Sequence, residues 1–451
     1  MKLFLKIISC ASLILFTTGG FAQPNDRTNI ILIVADDLGY ADISYNDRIG
    51  SATPQLDMLA REGLRFTDFH ANAPVCSPTR TAILTGRYQQ RSGIESALTP
   101  GAIGLPTSEI TIADYLKKKG YATAVFGKWH VGTVPEANPV NRGFDEFRGH
   151  LNSVDYRSHI GPWGNPDWWF NDNLQNEEGY NSDLIANHAI RFIDEHRDQP
   201  FFIYVPFSNI HFPWSTPEDP RFWHEGVNYY ESIDTKLGPH SPGSDITLVV
   251  RRMIYELDKS VGRIVDAVKR NDLAENTLIF FTSDNGGYIH YQGRHRGQIS
   301  DNGPLRGQKA ELYEGGIRVP AIAWWPSKIA EGSESDEIAL TMDLLPTILE
   351  LAGIMPPSLD SPQALDGISM IPILLENKFM PKRKVFWRFK ESGAVRQGPW
   401  KLVYNKESKS NPELYNLEKD IGEQKDLAEK HPEIISQLIE AFGLWEIEVD
   451  K

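Results

Sequence analysis

The chain has little cysteine, fewer basic than acidic side chains and no long apolar run in its interior. Its 451 residues include two cysteines, Cys10 and Cys76, and 46 lysines and arginines against 60 aspartates and glutamates, for a net charge of −14. So little sulfur excludes a disulfide-stapled scaffold and a cysteine-rich zinc site. The acidic balance excludes nucleic acid as a bulk partner, because a phosphate backbone is met by a basic face. No interior stretch reaches the roughly 18 to 20 apolar residues that a helix needs to span a bilayer, so no membrane span is expected there. Sequence repeats and low-complexity tracts are absent as well.

What is there begins with an export signal. Met1 to Lys6 is basic, Ile7 to Phe16 is mostly apolar, and Gly20-Phe21-Ala22 offers small residues where a signal peptidase reads. Residues 1–22 are therefore read as a signal peptide, and the protein as periplasmic or secreted. Cys10 lies too early in the apolar region for lipid attachment, and no twin arginine precedes it. Removing the signal leaves Cys76 as the sole cysteine of an exported chain, with no partner for a disulfide. Such a thiol is either buried and inert or chemically used.

Downstream the pattern alternates. Asn29 to Val34 is a continuous β-branched apolar run, as in a strand buried on both faces. Thr53-Pro54 to Gly63 reads as a helix with a Thr cap, Pro in the first turn and Gly as the stop. Leu64 to Phe69 alternates as a strand. Further helices are predicted at Thr111 to Lys119, Ser182 to Arg197, Ile246 to Arg270 and Ile338 to Ala352. Further strands are predicted at Tyr121 to Phe126, Phe201 to Val205, Thr277 to Thr282 and Val319 to Trp325. This alternation makes an α/β fold, a large mostly parallel sheet sandwiched by helices.

Two long irregular stretches, Leu151 to Tyr180 and His211 to Gly243, have the length of binding walls, although packing accounts for their tryptophans equally well. Pro356 to Leu365 is rich in Pro, Ser and Asp and separates a main domain, residues 23–360, from a smaller C-terminal α+β subdomain, residues 361–451. In the latter, Val385 to Phe389, Gly393 to Gln397 and Trp400 to Tyr404 read as an antiparallel sheet, followed by a helix from Pro432 to Glu448.

Ligands of open α/β sheets bind outside the carboxyl ends of the strands. Asp36 and Asp37, Lys128 and His130, His211, and Asp284 and Asn285 each follow one of the predicted strands. Asp36, Asp37, Asp284 and Asn285 are hard oxygen donors, suited to Ca2+ or Mg2+. Singly they read as a solvated pair and a turn; placed together they read as a metal site. Arg80, Lys128 and Lys309, with a divalent cation, describe a site for a compact oxyanion such as sulfate or phosphate. His130 and His211 have the chemistry to move protons near neutral pH.

Cys76 precedes Ser77-Pro78-Thr79, which opens an apolar helix, with Pro tolerated in a first turn whose N–H groups lack partners. That position favours an anion, which makes the thiol acidic or the site receptive to a negatively charged substrate.

These residues resemble the type I, formylglycine-dependent sulfatases of the alkaline-phosphatase-like superfamily, over nearly all of the chain beyond residue 22. The most specific match is Cys76-Ser77-Pro78-Thr79-Arg80 continuing to Leu84-Thr85-Gly86. Gly120 to His130 matches a second motif, with Phe126 bulkier than is usual, and Asp36-Asp37, His211, Asp284-Asn285 and Lys309 to Gly316 fall in family order. The resemblance implies that a formylglycine-generating maturation enzyme oxidises Cys76 to an aldehyde, which hydrates to a diol. It implies that Asp36, Asp37, Asp284, Asn285 and residue 76 hold one Ca2+ per chain, with Mg2+ the second choice, that Arg80 steadies the diol and that Lys128 and Lys309 hold sulfate oxygens.

The implied reaction is in-line attack of one diol oxygen on sulfur, with His211 protonating the departing alcohol. His130 then assists the second hydroxyl in expelling sulfate. The expected substrate is a sulfated oligo- or polysaccharide. His150, Asp155 and Arg157, and Arg294 and His295 after the metal loop, are candidate sugar contacts, although ordinary loop polarity accounts for any one of them as well. A phosphomonoesterase or phosphodiesterase of the same superfamily would carry a Thr or Ser nucleophile and ligands for a second metal, and no such set is seen. A non-catalytic carbohydrate-binding relative would keep the fold and lack the modification.

Overall fold

A computed structural model describes residues 27–46, 53–161, 164–219, 246–290, 299–405 and 411–451. The predicted signal peptide, Arg294 and His295, and most of the second long stretch lie outside the described residues.

The strands, in chain order, are β1 (Asn29–Ala35), β2 (Leu64–Phe66), β3 (Phe69–His70), β4 (Ala122–Lys128), β5 (Glu146–His150), β6 (Trp169–Phe170), β7 (Asn173–Leu174), β8 (Phe201–Pro206), β9 (Thr277–Ser283), β10 (Ala321–Trp324), β11 (Ser333–Ser335), β12 (Ala339–Leu340), β13 (Lys384–Phe389), β14 (Ser392–Gln397), β15 (Trp400–Asn405) and β16 (Glu413–Asn416). The helices are α1 (Pro54–Glu62), α2 (Cys76–Thr85), α3 (Ile112–Lys118), α4 (Asn181–His196), α5 (Ile246–Arg270), α6 (Glu314–Ile317), α7 (Leu344–Leu351), α8 (Ile371–Leu375) and α9 (Pro432–Val449).

A ten-stranded sheet runs in the order β11-β2-β10-β9-β1-β8-β4-β5-β6-β7. Its centre, β9-β1-β8-β4-β5, is parallel throughout. β1 shows why a continuous apolar run is needed at this place. Ile31 and Ile33 enter the core beneath α4 and α5, whereas Ile30, Leu32 and Val34 enter the core beneath α3 and α7. Each face of the strand is thus paid in apolar side chains, at roughly 1.5–3 kcal/mol for each one fully buried.

Several sequence expectations are corrected. The strand expected over Leu64 to Phe69 divides, β2 pairing in the large sheet and β3 with β12. β10 is antiparallel to both of its neighbours. The helix expected from Ile338 begins only at Leu344, because the Asp343 carboxylate takes the Leu340 N–H at 2.7 Å and holds a tight turn ahead of it. Thr53 does not cap α1: its hydroxyl bonds Ser44, and Asp258 of α5 takes the Gln55 and Leu56 N–H groups instead. β5, β6 and β7 were not foreseen.

The C-terminal strands β13 to β16 form a four-stranded antiparallel sheet. Met370, Leu374 and Met380 still pack in the main core, whereas Val385, Trp387, Val395 and Leu402 pack with α9 and with Val75, Ala82 and Leu312. The small sheet therefore lies directly against α2 and the segment that carries Lys309. No described helix is long and apolar enough to cross a membrane.

Candidate functional site

β1 and β9 are paired in parallel with Ala35 opposite Ser283, so Asp36 and Asp284 leave the sheet side by side. The Asp284 N–H bonds the Ala35 carbonyl at 3.1 Å, and Asp37 takes a left-handed conformation, φ 65°, its own N–H reaching Asp284 Oδ1 at 3.3 Å. Between these strand ends stands the first residue of α2. Cys76 follows an extended Val75, as the sequence predicted for a helix start, and its sulfur lies with carboxylate oxygens of Asp36 and Asp284 in a cluster whose atoms are all within 4.8 Å of one another. Oxygens of Asp36 and Asp37 and a ring nitrogen of His211 form a second such group.

Arg80, one turn on from Cys76, is wholly buried. Its Nε and Nη2 meet Asp284 Oδ2 at 2.9 and 2.7 Å, and Nη1 donates to the Lys128 carbonyl at 2.7 Å. Lys128 Nζ donates to Asp36 Oδ2 at 2.6 Å, Lys309 Nζ donates to Asp37 Oδ1, and Asn285 Nδ2 donates to the same oxygen at 2.9 Å. The six sequence-predicted ionic residues are thus interleaved in one buried cluster. Asp36 Oδ1 and Asn285 Oδ1 are buried and accept no hydrogen bond. Orphaned acceptors of this kind are costly, and two hard oxygens left over among carboxylates are what a divalent cation satisfies.

The electrostatics follow from that crowding. Burial pushes Asp36 up, but Lys128, His211 and Arg80 outweigh it and hold the carboxyl well below its usual range. Burial and the neighbouring Asp36 push Asp284 up to about 7 despite Arg80. The expectation of an acidic thiol is corrected: burial pushes the Cys76 thiol up against the pull of Lys128 and Lys309. A helix N-terminus lowers a thiol pKa only where the thiolate keeps enough solvation.

The histidines sit at the same strand ends. His130 Nε2 donates to the Leu98 carbonyl at 2.9 Å, leaving Nδ1 buried and without a partner, while burial, Lys128 and Arg80 push the ring well below its usual pKa. His211 donates from Nδ1 to the Phe212 carbonyl at 2.6 Å and turns Nε2 toward Asp37 Oδ2, 4.0 Å away. Burial and Lys128 push it down to about 4. His150 ends β5, donates from Nδ1 to the Asn152 carbonyl and takes the Ser208 hydroxyl on Nε2 at 2.7 Å. It lines a small cavity together with Asp36, Lys128, Ser208 and His211.

Asp155 and Arg157 are used within the loops. Asp155 Oδ1 takes the N–H groups of Arg157 and Ser158, and Arg157 Nη1 donates to the carbonyls of Pro217 and Asp219. The two side chains fold the first long stretch and tie it to the second. Tyr288, which opens the stretch Tyr288 to Gly297 read as a possible sugar contact, holds its ring 5.2 Å from Lys309 Nζ. Sequence reading missed two supporting roles: Asn152 Nδ2 donates to the Leu98 carbonyl at 3.2 Å, and Ser77 Oγ takes the Leu98 N–H at 3.0 Å. Asn152 and His150 would have been flagged together had β5 been recognised as a strand.

Residues 28–354 match the sulfatase family, and residues 308–444 match the C-terminal region of N-sulphoglucosamine sulphohydrolase. The chain is 33% identical over 396 residues to N-acetylgalactosamine-6-sulfatase of Homo sapiens, an alignment covering 82% of this chain and 69% of that protein. It is 32% identical over 486 residues to arylsulfatase A of Homo sapiens, covering 95% and 89%. The crystal structure of Ps i-CgsB in complex with k-i-k-neocarrahexaose matches with a TM-score of 0.81 at 28% identity, over 93% of this chain and 92% of that one. A phosphonate monoester hydrolase of Agrobacterium radiobacter matches with a TM-score of 0.65 at 21% identity, over 94% and 95%, a likeness of fold alone.

Proposed function

The chain belongs to the sulfatase family and is a sulfuric ester hydrolase, and from that premise we propose that it removes sulfate from a sulfated carbohydrate, using formylglycine made from Cys76 and one Ca2+. The observation that carries this reading is the convergence of Cys76, Asp36 and Asp284 within 4.8 Å, ringed by Arg80, Lys128 and Lys309. Asp36, Asp37, Asp284, Asn285 and residue 76 would hold the cation, and the orphaned oxygens of Asp36 and Asn285 support that fit. Bound there, a divalent cation supplies charge neutralisation and a Lewis acid for a sulfuryl oxygen. The hydrated aldehyde at residue 76 supplies the oxygen that displaces the alcohol from sulfur and, by re-forming its carbonyl, lets sulfate go.

Lys128 and Lys309 bind the sulfate oxygens, and Arg80 fixes residue 76 relative to Asp284. His211 protonates the alcohol from Nε2, since Nδ1 is committed to Phe212. An anionic ester beside it favours the charged ring, so its proton is taken up with the substrate. His130 Nδ1 takes the proton of the second hydroxyl. Carbohydrate is preferred because Tyr156 of the first long stretch lines the cavity of Asp36 and His211, with Trp168 stacked on His150, because a relative carries a sugar sulfatase name, and because a structure of similar fold was solved in complex with a neocarrahexaose. Residues 1–22 direct the chain out of the cytoplasm, to the periplasm or beyond.

The test is to produce the chain with a maturation enzyme, map the peptide around Cys76 by mass spectrometry, and assay 4-nitrophenyl sulfate, 4-nitrophenyl phosphate and a panel of monosaccharide and oligosaccharide sulfates. Sulfate release that scales with aldehyde content is expected. Preference for phosphate by more than about tenfold, or activity independent of modification, would overturn it.

A further inference from the structure

One of the links between the C-terminal subdomain and the main domain leads to His130. Glu95 and Leu98 stand three residues apart in a stretch without regular secondary structure, and Ser96 and Ala97 between them are exposed. At one end, Leu98 gives its N–H to Ser77 Oγ at 3.0 Å and accepts on its carbonyl from His130 Nε2 at 2.9 Å and Asn152 Nδ2 at 3.2 Å. At the other end, Arg388 of β13 grips Glu95 with two parallel bonds, Nε to Oε2 and Nη2 to Oε1, both at 2.8 Å. Gln90 adds a longer bond to Glu95 at 3.4 Å.

Side chains carry the positioning here because the backbone does not. The preceding short helical turn, Gln89–Ser92, is fixed by its own bonds, the last of them from the Ile94 N–H to the Gln89 carbonyl at 3.3 Å. From Glu95 to Leu98 no backbone-to-backbone hydrogen bond holds the chain among the described residues. A paired guanidinium–carboxylate contact fixes direction as well as distance, and three residues span at most about 10 Å, so a shift of Glu95 is passed on to the Leu98 carbonyl. Arg388 is itself braced from behind. Its Nη1 and Nη2 meet the Asp450 carboxylate at 2.9 and 2.7 Å, with Glu446 at 3.5 Å, and its side chain is only 14% exposed.

Resting on the roles given above to His130 and residue 76, we propose that Arg388 is a positioning residue for the reaction: through Glu95 it sets the Leu98 carbonyl, which orients the His130 ring and, through Ser77, borders residue 76. The C-terminal subdomain thereby acts on the chemical step as well as on the stability of the fold.

The test is steady-state kinetics of the modified enzyme on 4-nitrophenyl sulfate. Glu95→Ala is expected to lower kcat about tenfold with KM within about twofold; a misplacement of about 1 Å costs about 100-fold, and Leu98 keeps its own bonds to Ser77 and Asn152. Glu95→Gln retains an oxygen for the guanidinium and should recover part of the loss, to about threefold below wild type. Arg388→Met should match Glu95→Ala, and the double variant should be no slower than either, because all three remove one contact. The Glu95 side chain is 37% exposed, so its variants keep the test open if Arg388→Met unfolds. Asp450→Ala is the control for a purely structural role: it loosens the hold of the last helix on Arg388, leaves the Glu95 contact in place, and should keep wild-type kcat while lowering the unfolding temperature. Wild-type kcat in Glu95→Ala, a change confined to KM, or an equal loss of kcat in Asp450→Ala would overturn the proposal alone. Wild-type kcat in His130→Ala would overturn the role of His130 as base, and the proposal with it.

Discussion

Leu98 and His130 are joined by a hydrogen bond of 2.9 Å from ring Nε2 to carbonyl oxygen. A carbonyl only accepts, so Nε2 carries the proton and the neutral ring offers Nδ1 as its basic atom. Two side chains hold that carbonyl's segment: Asn152 Nδ2 donates to the same oxygen, and Ser77, next to Cys76, takes the Leu98 N–H. The segment next to Cys76 and the ring of His130, the proposed nucleophile and base, are thereby anchored to one short loop.

Asn152→Ala should release one side of this anchor. Its kcat is expected to fall about tenfold with KM within about twofold, the signature of a group that acts on the chemical step rather than on binding. Steady-state kinetics on 4-nitrophenyl sulfate decide it. A change confined to KM would mean that Asn152 touches substrate and does not position His130.

Arg80→Lys should be damaging despite keeping the charge. Arg80 uses three nitrogens on Asp284 and the Lys128 carbonyl, all out of water, and a single ammonium cannot meet both. An unpaired buried carboxylate costs about 3–5 kcal/mol, and displacement of residue 76 by about 1 Å costs about 100-fold in rate. A lower unfolding temperature together with a loss of at least that size in kcat/KM is expected; wild-type activity would remove Arg80 from the site.

Much of this site was readable because its residues follow strands that are themselves unambiguous. Runs such as Asn29 to Ala35 and Thr277 to Ser283 are buried on both faces and have no helical alternative of that length, so Asp36, Asp37, Asp284 and Asn285 could be placed at one edge. β5 was not readable. Its sequence, Glu-Phe-Arg-Gly-His, is polar at alternate positions and includes Gly149, where a Cβ would lie 2.1 Å from the Gly127 carbonyl oxygen. Close backbone approach dictates that glycine, and it erases the apolar signal. The direction of β10 was also hidden, since an apolar tetrapeptide reads the same in either sense. The roles of Asp155 and Arg157 depend on which backbone groups two loops bring near them, and local sequence holds no record of that.

Divalent cation binding should stabilise the fold through the same cluster. With free Ca2+ at about 1,000 times its dissociation constant, the gain is about 4 kcal/mol, an increase of several degrees in unfolding temperature. A chelator should reverse it in thermal melts of both wild type and Asp284→Asn, the variant showing the smaller span. An unfolding temperature indifferent to Ca2+ and to chelator would remove the cation from the proposal.

Asp42 gives a pH dependence whose sign is set by its environment. It is buried under the loop that carries Asp36 and Asp37 and takes the N–H groups of Gly39 and Asp301 at 2.7 and 2.8 Å. Burial nevertheless pushes it from 3.8 to about 7. Between those values the folded chain binds a proton that the unfolded chain has released, so stability falls as pH rises, by at most about 1.4 kcal/mol per unit. Asp42→Asn cannot ionise. Its urea midpoint should therefore decline less than that of wild type between pH 5 and 7, and parallel declines would show Asp42 to be ionised already at pH 5.

The last relationship joins the small sheet to the loop of Asp284 and Asn285. Lys401 of β15 is wholly buried and meets Glu314 and Glu423 at 2.8 Å each, while Glu314 also takes His70 Nε2 at 3.0 Å and Arg318 at 3.1 Å. Glu314 opens α6, and the next residues, Gly315 and Gly316, press on Gly286 beside Asn285. The Gly286 N–H bonds the Gly316 carbonyl at 3.0 Å, and a Cβ at Gly286 would lie 1.9 Å from the Gly315 oxygen. A charge removed from this network therefore acts on the site from behind. Lys401→Met leaves two buried carboxylates facing each other and should cost about 3–5 kcal/mol. Adding Glu423→Gln removes one of those charges and should recover part of the loss, whereas independent sites would simply add. Urea unfolding of the single and double variants measures the coupling. If Asn285 is held through Glu314, Ca2+ affinity should weaken in Lys401→Met and recover in the double variant in step with stability; unchanged affinity in both would confine the network to holding the two sheets together.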